Sequence, residues 1–485
     1  MNRFIIGFVF IVLVSRFFTE TLGILPKGVD LLDLAIIPFI ALLAAGSRPP
    51  QGVNVELHRK LLHPTVAFFF ICLLSAAVNF ERMHLGPLML YIFGMLEGPI
   101  LYLSLNKLIN DKKRFGEQVA RFINVMLLVE IGVVVFISYP TLILTGNPDK
   151  MSGTFGNNSY QFTALLILIG GYLIGRQMAT PRSIYYAVAV QVFIILTFLL
   201  LQYRTATPAF FLSYAILLVF MFGRQVMRIG LVAVPLLLVV VIGFKYINRS
   251  GNMDMKYRDL VTLAEDVSVV FEYGKFQAYV NTVAMYAEFP TAIVFGSGPG
   301  TFVSRANYTF TNELQGSKTK GVGSIITTVF GDRDYESDVY VKYIQPLSSY
   351  ESLFGSVQIN NPNSSVLATA AETGIPGLIF MFLIYSTVVR RSFRYLRYAM
   401  ATRDPLLLPL SSALALGVIY LCLITPLDNY LEIARVTIPI WLLFWTVSTL
   451  VHQQKLQYLI RLQYESQMMQ PQQELTYREF PDDDI

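Results

Sequence analysis

The sequence predicts an all-α polytopic membrane protein of about 12 transmembrane helices with one large, partly helical extracytoplasmic loop. Three observations predict it. Hydrophobic residues make up 54% of the chain, charged residues only 14%, and the mean hydropathy is +0.54, whereas a soluble protein keeps about 25% charged residues to cover its surface. The apolar residues gather in repeated runs of roughly 20, the length an α-helix needs to cross a bilayer. Basic residues then alternate between the loops that join these runs, as they do when positive loops stay in the cytoplasm.

In chain order, apolar runs lie near residues 4–25, 29–46, 61–80, 84–105, 119–143, 159–179, 183–203, 206–222 and 226–247, then 364–389, 406–426 and 433–451. The first run, from Phe4 to Phe18, follows Arg3 and lacks a small-residue cleavage site before Glu20, so it reads as a retained helix. The even loops carry Arg48, Arg59 and Lys60; Lys107, Lys112, Lys113, Arg114 and Arg121; Arg176 and Arg182; Arg224 and Arg228; and a final cluster from Arg390 to Arg403. The odd short loops hold little beyond Lys27, Arg82, Lys150 and Arg204. This places both termini in the cytoplasm and the polar stretch from Asn248 to Asn363 outside.

The chain therefore divides into a transmembrane bundle over 1–247, an extracytoplasmic loop domain over 248–363, a second bundle over 364–451 and a cytoplasmic tail over 452–485. Within the loop, Tyr257 to Phe289 reads as helical because Leu260, Leu263, Ala264 and Val267 share a face. The Gln-rich tail ends Asp482-Asp483-Asp484 and reads as a mobile, solvated segment. Cys72 and Cys422 both sit inside apolar runs and read as buried free thiols. No histidine pair or cysteine cluster suggests a metal, and the net charge of +5 reflects loop asymmetry rather than a nucleic-acid face.

The candidate chemistry gathers around the loop. Arg204, at the outer end between two runs, is either a snorkelling side chain or a clamp for phosphate, which suits guanidinium geometry. Lys275 opens a helical segment and offers a second positive charge or a solvated surface residue. Gly296-Ser297-Gly298-Pro299-Gly300 predicts a tight, exposed turn with free amides, and by itself it is only a loop. His84, Glu288 and Glu351 are the outward candidates for acid or base work. Glu372 and Asp428 lie near outer helix ends, where a structural role suits Glu372 better than catalysis. Glu97 and Glu130 lie mid-span and either serve function or hold helices together. Tyr308, Tyr335, Tyr340, Tyr343 and Tyr350 suit sugar stacking or packing of the loop.

Four stretches together resemble the O-antigen ligase and O-antigen polymerase family of bacterial glycan-assembly proteins. Ser152-Gly153-Thr154-Phe155-Gly156-Asn157-Asn158-Ser159-Tyr160 is similar to a signature that precedes a span in that family. Gln202-Tyr203-Arg204-Thr205-Ala206 resembles its Ser-Arg-Gly-Ala turn. Lys275, Tyr279, Pro290 and Gly296 to Phe302 resemble an arginine, a tryptophan four later, then Pro and Gly-x-Gly-Pro-Gly-x-Phe. Asn363 to Gly377 resembles His-Asn-Ser-Tyr-Leu followed by Ala-Glu-Thr-Gly. The resemblance covers roughly residues 150 to 390, and its specificity lies in the order and spacing of the four motifs.

The resemblance implies an inverting glycosyltransferase that takes a glycan from a polyprenyl diphosphate carrier at the outer face, with no cofactor and no required metal. It implies that Arg204 and Lys275 hold the diphosphate, that Asn363 occupies the catalytic histidine position, and that Tyr279, Gly298, Gly300 and Ser364 line the substrate site. The sequence departs from the family twice. Lys275 replaces an arginine and loses its bidentate geometry. Asn363 replaces a histidine and cannot act as a general base near neutral pH, leaving His84, Glu288, Glu351 or the diphosphate itself to take the proton. The partners implied are the lipid-linked donor, a glycan acceptor, the bilayer and other assembly or export proteins. A polymerase of lipid-linked repeat units is the leading expectation. A ligase, a lipid-linked glycan transporter and a non-catalytic assembly component are the alternatives.

Overall fold

Short polar side chains start several of the helices, and apolar faces then carry them through the bundle. A computed structural model describes residues 2–25, 32–47, 54–145, 150–156, 158–180, 184–201, 206–223, 274–313, 335–349, 351–352, 355–356 and 364–477. The first half holds α1 (Asn2–Arg16), α2 (Leu32–Ala45), α3 (Val55–Val78), α4 (Leu85–Leu108), α5 (Lys112–Val133), α6 (Tyr139–Thr145), α7 (Ser159–Ala179), α8 (Ile184–Leu201) and α9 (Ala206–Phe222). Asn54 caps α3 by accepting the Leu57 amide at 3.0 Å, and Asp111 caps α5 by accepting the Arg114 amide at 3.0 Å. A π-turn, Val134–Ser138, joins α5 to α6 without ending the span.

The loop contributes α10 (Gly274–Glu288), α11 (Ala292–Phe295), α12 (Arg305–Tyr308), α13 (Asp338–Tyr343) and an antiparallel pair, β1 (Glu351–Ser352) and β2 (Gly355–Ser356), in which Glu351 faces Ser356. The last part holds α14 (Ser365–Thr402), α15 (Leu407–Ile424) and α16 (Ala434–Tyr477). Lys275 does fall at the start of a helix, α10; residues 257–273 of the expected helix lie outside the described residues.

Eight helices among the described residues are long and apolar enough to cross a membrane, so the chain is an all-α membrane protein. Three further apolar helices, Ile36–Ala45, Ala189–Leu201 and Ala206–Phe222, are shorter, and the expected span at 226–247 lies outside the described residues. Helix α16 is central, its apolar window 100% buried, and it packs on α4, α5 and α15. Its Trp441 and Trp445 are among the largest fully buried side chains, and the Trp445 indole donates to Asn106 Oδ1 of α4 at 2.9 Å. Helix α15 packs most extensively on α7. A Cβ on Gly175 of α7 would stand 2.6 Å from the Leu408 carbonyl oxygen, so the two backbones touch only because the side chain is absent.

The tail after 452 is helical in its described part: α16 runs on to Tyr477, because its Gln, Lys, Leu, Arg and Glu residues are strong helix formers. Gln454 also donates to Asp404 Oδ2 at 2.7 Å, tying that extension to the turn before α15. Cys422 is exposed on the outside of the bundle, whereas Cys72 is buried as expected; an apolar run in lipid has an outward face as well as an inward one.

Candidate functional site

The site begins with a broken helix. Pro376 has no N–H, which frees the carbonyl of Glu372 one turn earlier. Gly374, at φ 71° and ψ −177°, takes the backbone out of the helix at the same point. The released carbonyls of α14 then receive the loop: Ser297 N donates to Ala371 O at 2.8 Å and Gly298 N to Glu372 O at 3.2 Å. Ser75 Oγ of α3 also donates to Glu372 O, at 2.9 Å. Contact is too close for side chains here, since a Cβ on Gly296 would fall 2.2 Å from the Glu372 backbone and one on Gly374 2.5 Å from Val294 O.

The carboxyl group of Glu372 lies in a cage of main-chain donors. Its Oε2 accepts Gly300 N at 2.5 Å, and its Oε1 accepts the amides of Phe302, Val303 and Ser304 at 3.0, 2.9 and 2.8 Å. Glu432, which precedes α16, takes the next two amides, Arg305 N at 2.9 Å and Ala306 N at 3.3 Å. Burial raises the Glu432 carboxyl pKa to about 7 against the hydrogen bonds from Asn429, Ala306 and Arg305 that favour its charged form. Two acids thus hold one continuous segment of the loop, residues 300–306, against the bundle.

A third acid repeats the device. Glu130, mid-span on α5, accepts Thr154 N at 3.1 Å and the Thr154 hydroxyl, which fixes the turn that leads into α7. Glu97, the other mid-span acid, accepts the hydroxyl of Thr437 on α16. Both are fully engaged in holding the bundle together in this arrangement, with Glu372 doing the same at the loop.

Two of the four sequence motifs meet directly, and a third reaches their surroundings through Arg305 and Tyr430. Tyr160, which closes the Ser152 to Tyr160 stretch, lies within 3.4 Å of an Arg305 guanidinium nitrogen through its hydroxyl, and its carbonyl accepts the Tyr430 hydroxyl at 3.0 Å. Arg16 of α1 also acts on the Tyr160 hydroxyl electrostatically. Tyr279 of α10 shares a 2.8 Å hydrogen bond with Ser364 Oγ and donates to Pro426 O at 2.6 Å. Ser364 caps α14 by accepting the Leu367 amide at 3.1 Å, so α10 and the exit of the loop are joined at a helix start.

The expected site residues fall out as follows. Arg204 and Asn363 lie outside the described residues, and only the backbone of Lys275 and Glu351 is described. Tyr279 and Ser364 are brought together. Gly298 and Gly300 are buried, and Gly300 spends its amide on Glu372, which corrects the expectation of an exposed turn with free amides. The chain between Gly296 and Ser304 turns inward because it carries more donors than its own turns satisfy, and α14 supplies the acceptors.

His84 precedes α4, with its ring edge-on to Tyr335 at 5.1 Å; its neighbours Met83 and Pro87 abut Gly298 and Gly300. Glu288, at the far end of α10, accepts Lys342 Nζ at 2.6 Å and the Tyr343 hydroxyl, in an exposed bridge. It is nine residues from Tyr279, about 13 Å along a helix. Tyr335, Tyr340 and Tyr343 are buried, which favours packing of the loop over sugar stacking for these three.

Arg305, Arg16 and Glu432 were not among the sequence candidates, and Tyr160 stood only as the end of a motif. The available signal was Arg305, three residues past the Gly-rich motif, and an acid placed just before the last span. Among the described residues no group of three or more His, Cys, Asp or Glu gathers to hold a metal. No protein-family model matches the chain, and a search of the curated proteins finds no match.

Proposed function

We propose that the protein is a glycosyltransferase that polymerises polyprenyl-diphosphate-linked oligosaccharide repeat units into a surface or extracellular polysaccharide. It works in the plasma membrane of a bacterium, with both termini in the cytoplasm and the loop of residues 248–363 outside. The observation that carries this reading is the order of four motifs around that loop. The Tyr279–Ser364 hydrogen bond supports it, because it seats the helix that starts beside Lys275 against the residue that follows Asn363.

The reaction breaks the bond between the anomeric carbon and the diphosphate oxygen, and forms one to an acceptor hydroxyl from the opposite face. The electron pair leaves with the diphosphate, where Arg204 and Lys275 stabilise the growing charge. Asn363 orients the acceptor. The proton goes to His84, to Glu351 or to the departing diphosphate; Glu288 is committed to Lys342 and Tyr343. Rigid anchoring of residues 300–306 by Glu372 and Glu432 supports this role by fixing the loop that frames the site.

The test is a gel profile of lipid-linked glycans from cells lacking the protein. Single repeat units accumulating on the carrier support the polymerase. Long polymer retained on the carrier indicates a ligase, and an unchanged profile removes the enzyme reading. Full activity in both Arg204→Ala and Lys275→Ala overturns the roles given to those residues.

A further inference from the structure

At one end of the bundle, the start of α1 and the start of α5 border two adjoining open grooves of about 370 Å³ each. They share Arg3 and Gln118 in their walls. The outer one reaches the helix ends at Asn110, Asp111 and Arg114. The inner one runs along the helices past Ile6, Gly7 and Phe10 on one side and Arg121, Phe122 and Val125 on the other. Those positions recur at three- and four-residue steps, so each helix gives the groove one continuous face.

Its polarity is divided along its length. Three arginines line the two parts, Arg3 in both, Arg114 in the outer and Arg121 in the inner, and among the described residues none of their side chains has an ion pair. The one carboxylate in the walls, Asp111, uses Oδ1 to cap α5. Gln118 lines both grooves, and its Oε1 is buried with no hydrogen-bond partner among the described residues. Deeper in, the walls are Ile6, Phe10, Phe122 and Val125. A Cβ on Gly7 would meet nothing within 4 Å, so the groove is open there.

We propose that this groove binds one anionic phospholipid, its phosphate at the three arginines and an acyl chain along the apolar wall. Guanidinium groups match phosphate oxygens in charge and geometry. The basic loops place this end of the bundle in the cytoplasmic leaflet, where anionic lipid is available. The apolar wall is what separates a lipid from free phosphate: inorganic phosphate satisfies the arginines and leaves the groove beside Phe10 and Phe122 empty.

Native mass spectrometry of the full chain in mild detergent, titrated separately with phosphatidylglycerol, phosphatidylcholine and inorganic phosphate, tests the site. One phosphatidylglycerol should stay bound under conditions that strip phosphatidylcholine. The double variant Arg114→Gln with Arg121→Gln should weaken it about tenfold or more. Gly7→Leu, which fills the groove at unchanged charge, should weaken it as well. Arg59→Gln with Lys113→Gln removes the same charge from exposed positions outside the groove and should leave binding intact, and size-exclusion profiles check that each variant folds. Equal retention of both lipids, equal losses in the two double variants, unaffected binding in Gly7→Leu, or displacement of lipid by inorganic phosphate would each overturn the proposal.

Discussion

The loop end of the bundle, around Glu372 and Glu432, and the seam between α7 and α15 are both tightly packed, but by opposite means. At the loop end, Glu372 of α14 and Glu432 just before α16 hold six amides between Gly300 and Ala306. At the seam, Gly171 and Gly175 let the backbone of α15 approach because neither carries a side chain. Directional contacts to a few atoms fix a segment in one place. Contact through missing side chains fixes two helices at a distance but concentrates little energy in one group. The first suits a segment that must be positioned, the second a scaffold.

The comparison breaks most sharply at Glu372. Glu372→Ala strips the acceptor from four buried amides and from the turn they secure. A loss of about 3–5 kcal/mol is expected, because several buried amides lose their acceptor at once. The measurement is thermal unfolding in detergent, and a drop smaller than that of a seam variant would reverse the ranking. Gly175→Val supplies that seam variant. Its Cβ would meet Ser412 Oγ at 2.5 Å and Leu408 O at 2.6 Å, and the backbone oxygen has no rotamer to adopt. Overpacking of this kind costs about 1–3 kcal/mol, read from the same melting curve.

The two regions also differ in how far the sequence disclosed them. The apolar runs and their basic loops mark the helices directly, because each span must satisfy its own backbone within one stretch of chain. The exceptions are informative: α16 continues past the membrane since hydropathy ends where helix propensity does not. The candidate site was legible only as segments. Asn363 to Gly377 stood out, and Gly374 and Pro376 imply a break in the helix. Nothing local says what the freed carbonyls receive, because Ser297 and Gly298 lie far earlier in the chain, as do the partners of the Glu372 carboxyl, 68–72 residues earlier. The same gap explains the misjudged Gly-rich turn, which reads as exposed until an acceptor from another helix is brought to it. Arg305 and Glu432 were missed because each is unremarkable alone and becomes informative only through the other.

Tyr279→Phe sharpens the comparison on the loop side at smaller cost. It removes the hydroxyl shared with Ser364 Oγ and Pro426 O, while Ser364 keeps its cap on Leu367 N and its hydrogen bond to Thr425 O. Burial raises the Tyr279 phenol pKa, so the hydroxyl is a neutral donor throughout the physiological range. The expected loss of stability is about 1 kcal/mol. If α10 positions the diphosphate, glycan transfer in a membrane assay should fall by more than that stability loss accounts for. Transfer that tracks stability alone would leave Tyr279 a structural tie.

The smallest effect belongs to the exposed Glu288–Lys342 bridge, which also rests on one carboxyl group but without the burial of Glu372. Hydrogen bonds from Lys342 and Tyr343 lower the Glu288 pKa, and the hydrogen bond with Glu288 raises that of Lys342. The carboxylate contribution is therefore present above the unfolded value of about 4.3 and fades as pH falls through the lower folded value. The lysine contribution is complete below about 10.4 and fades as pH rises through its raised folded value. Between those limits the bridge is intact, yet solvent screens it and a surface ion pair adds little. Glu288→Gln should leave the melting temperature unresolved from the parent at neutral pH, with any gap closing on acidification. A glycan-transfer defect at an unmoved melting temperature would be the one result to return Glu288 to the chemistry, because an exposed tie that adds no stability has no other route to activity.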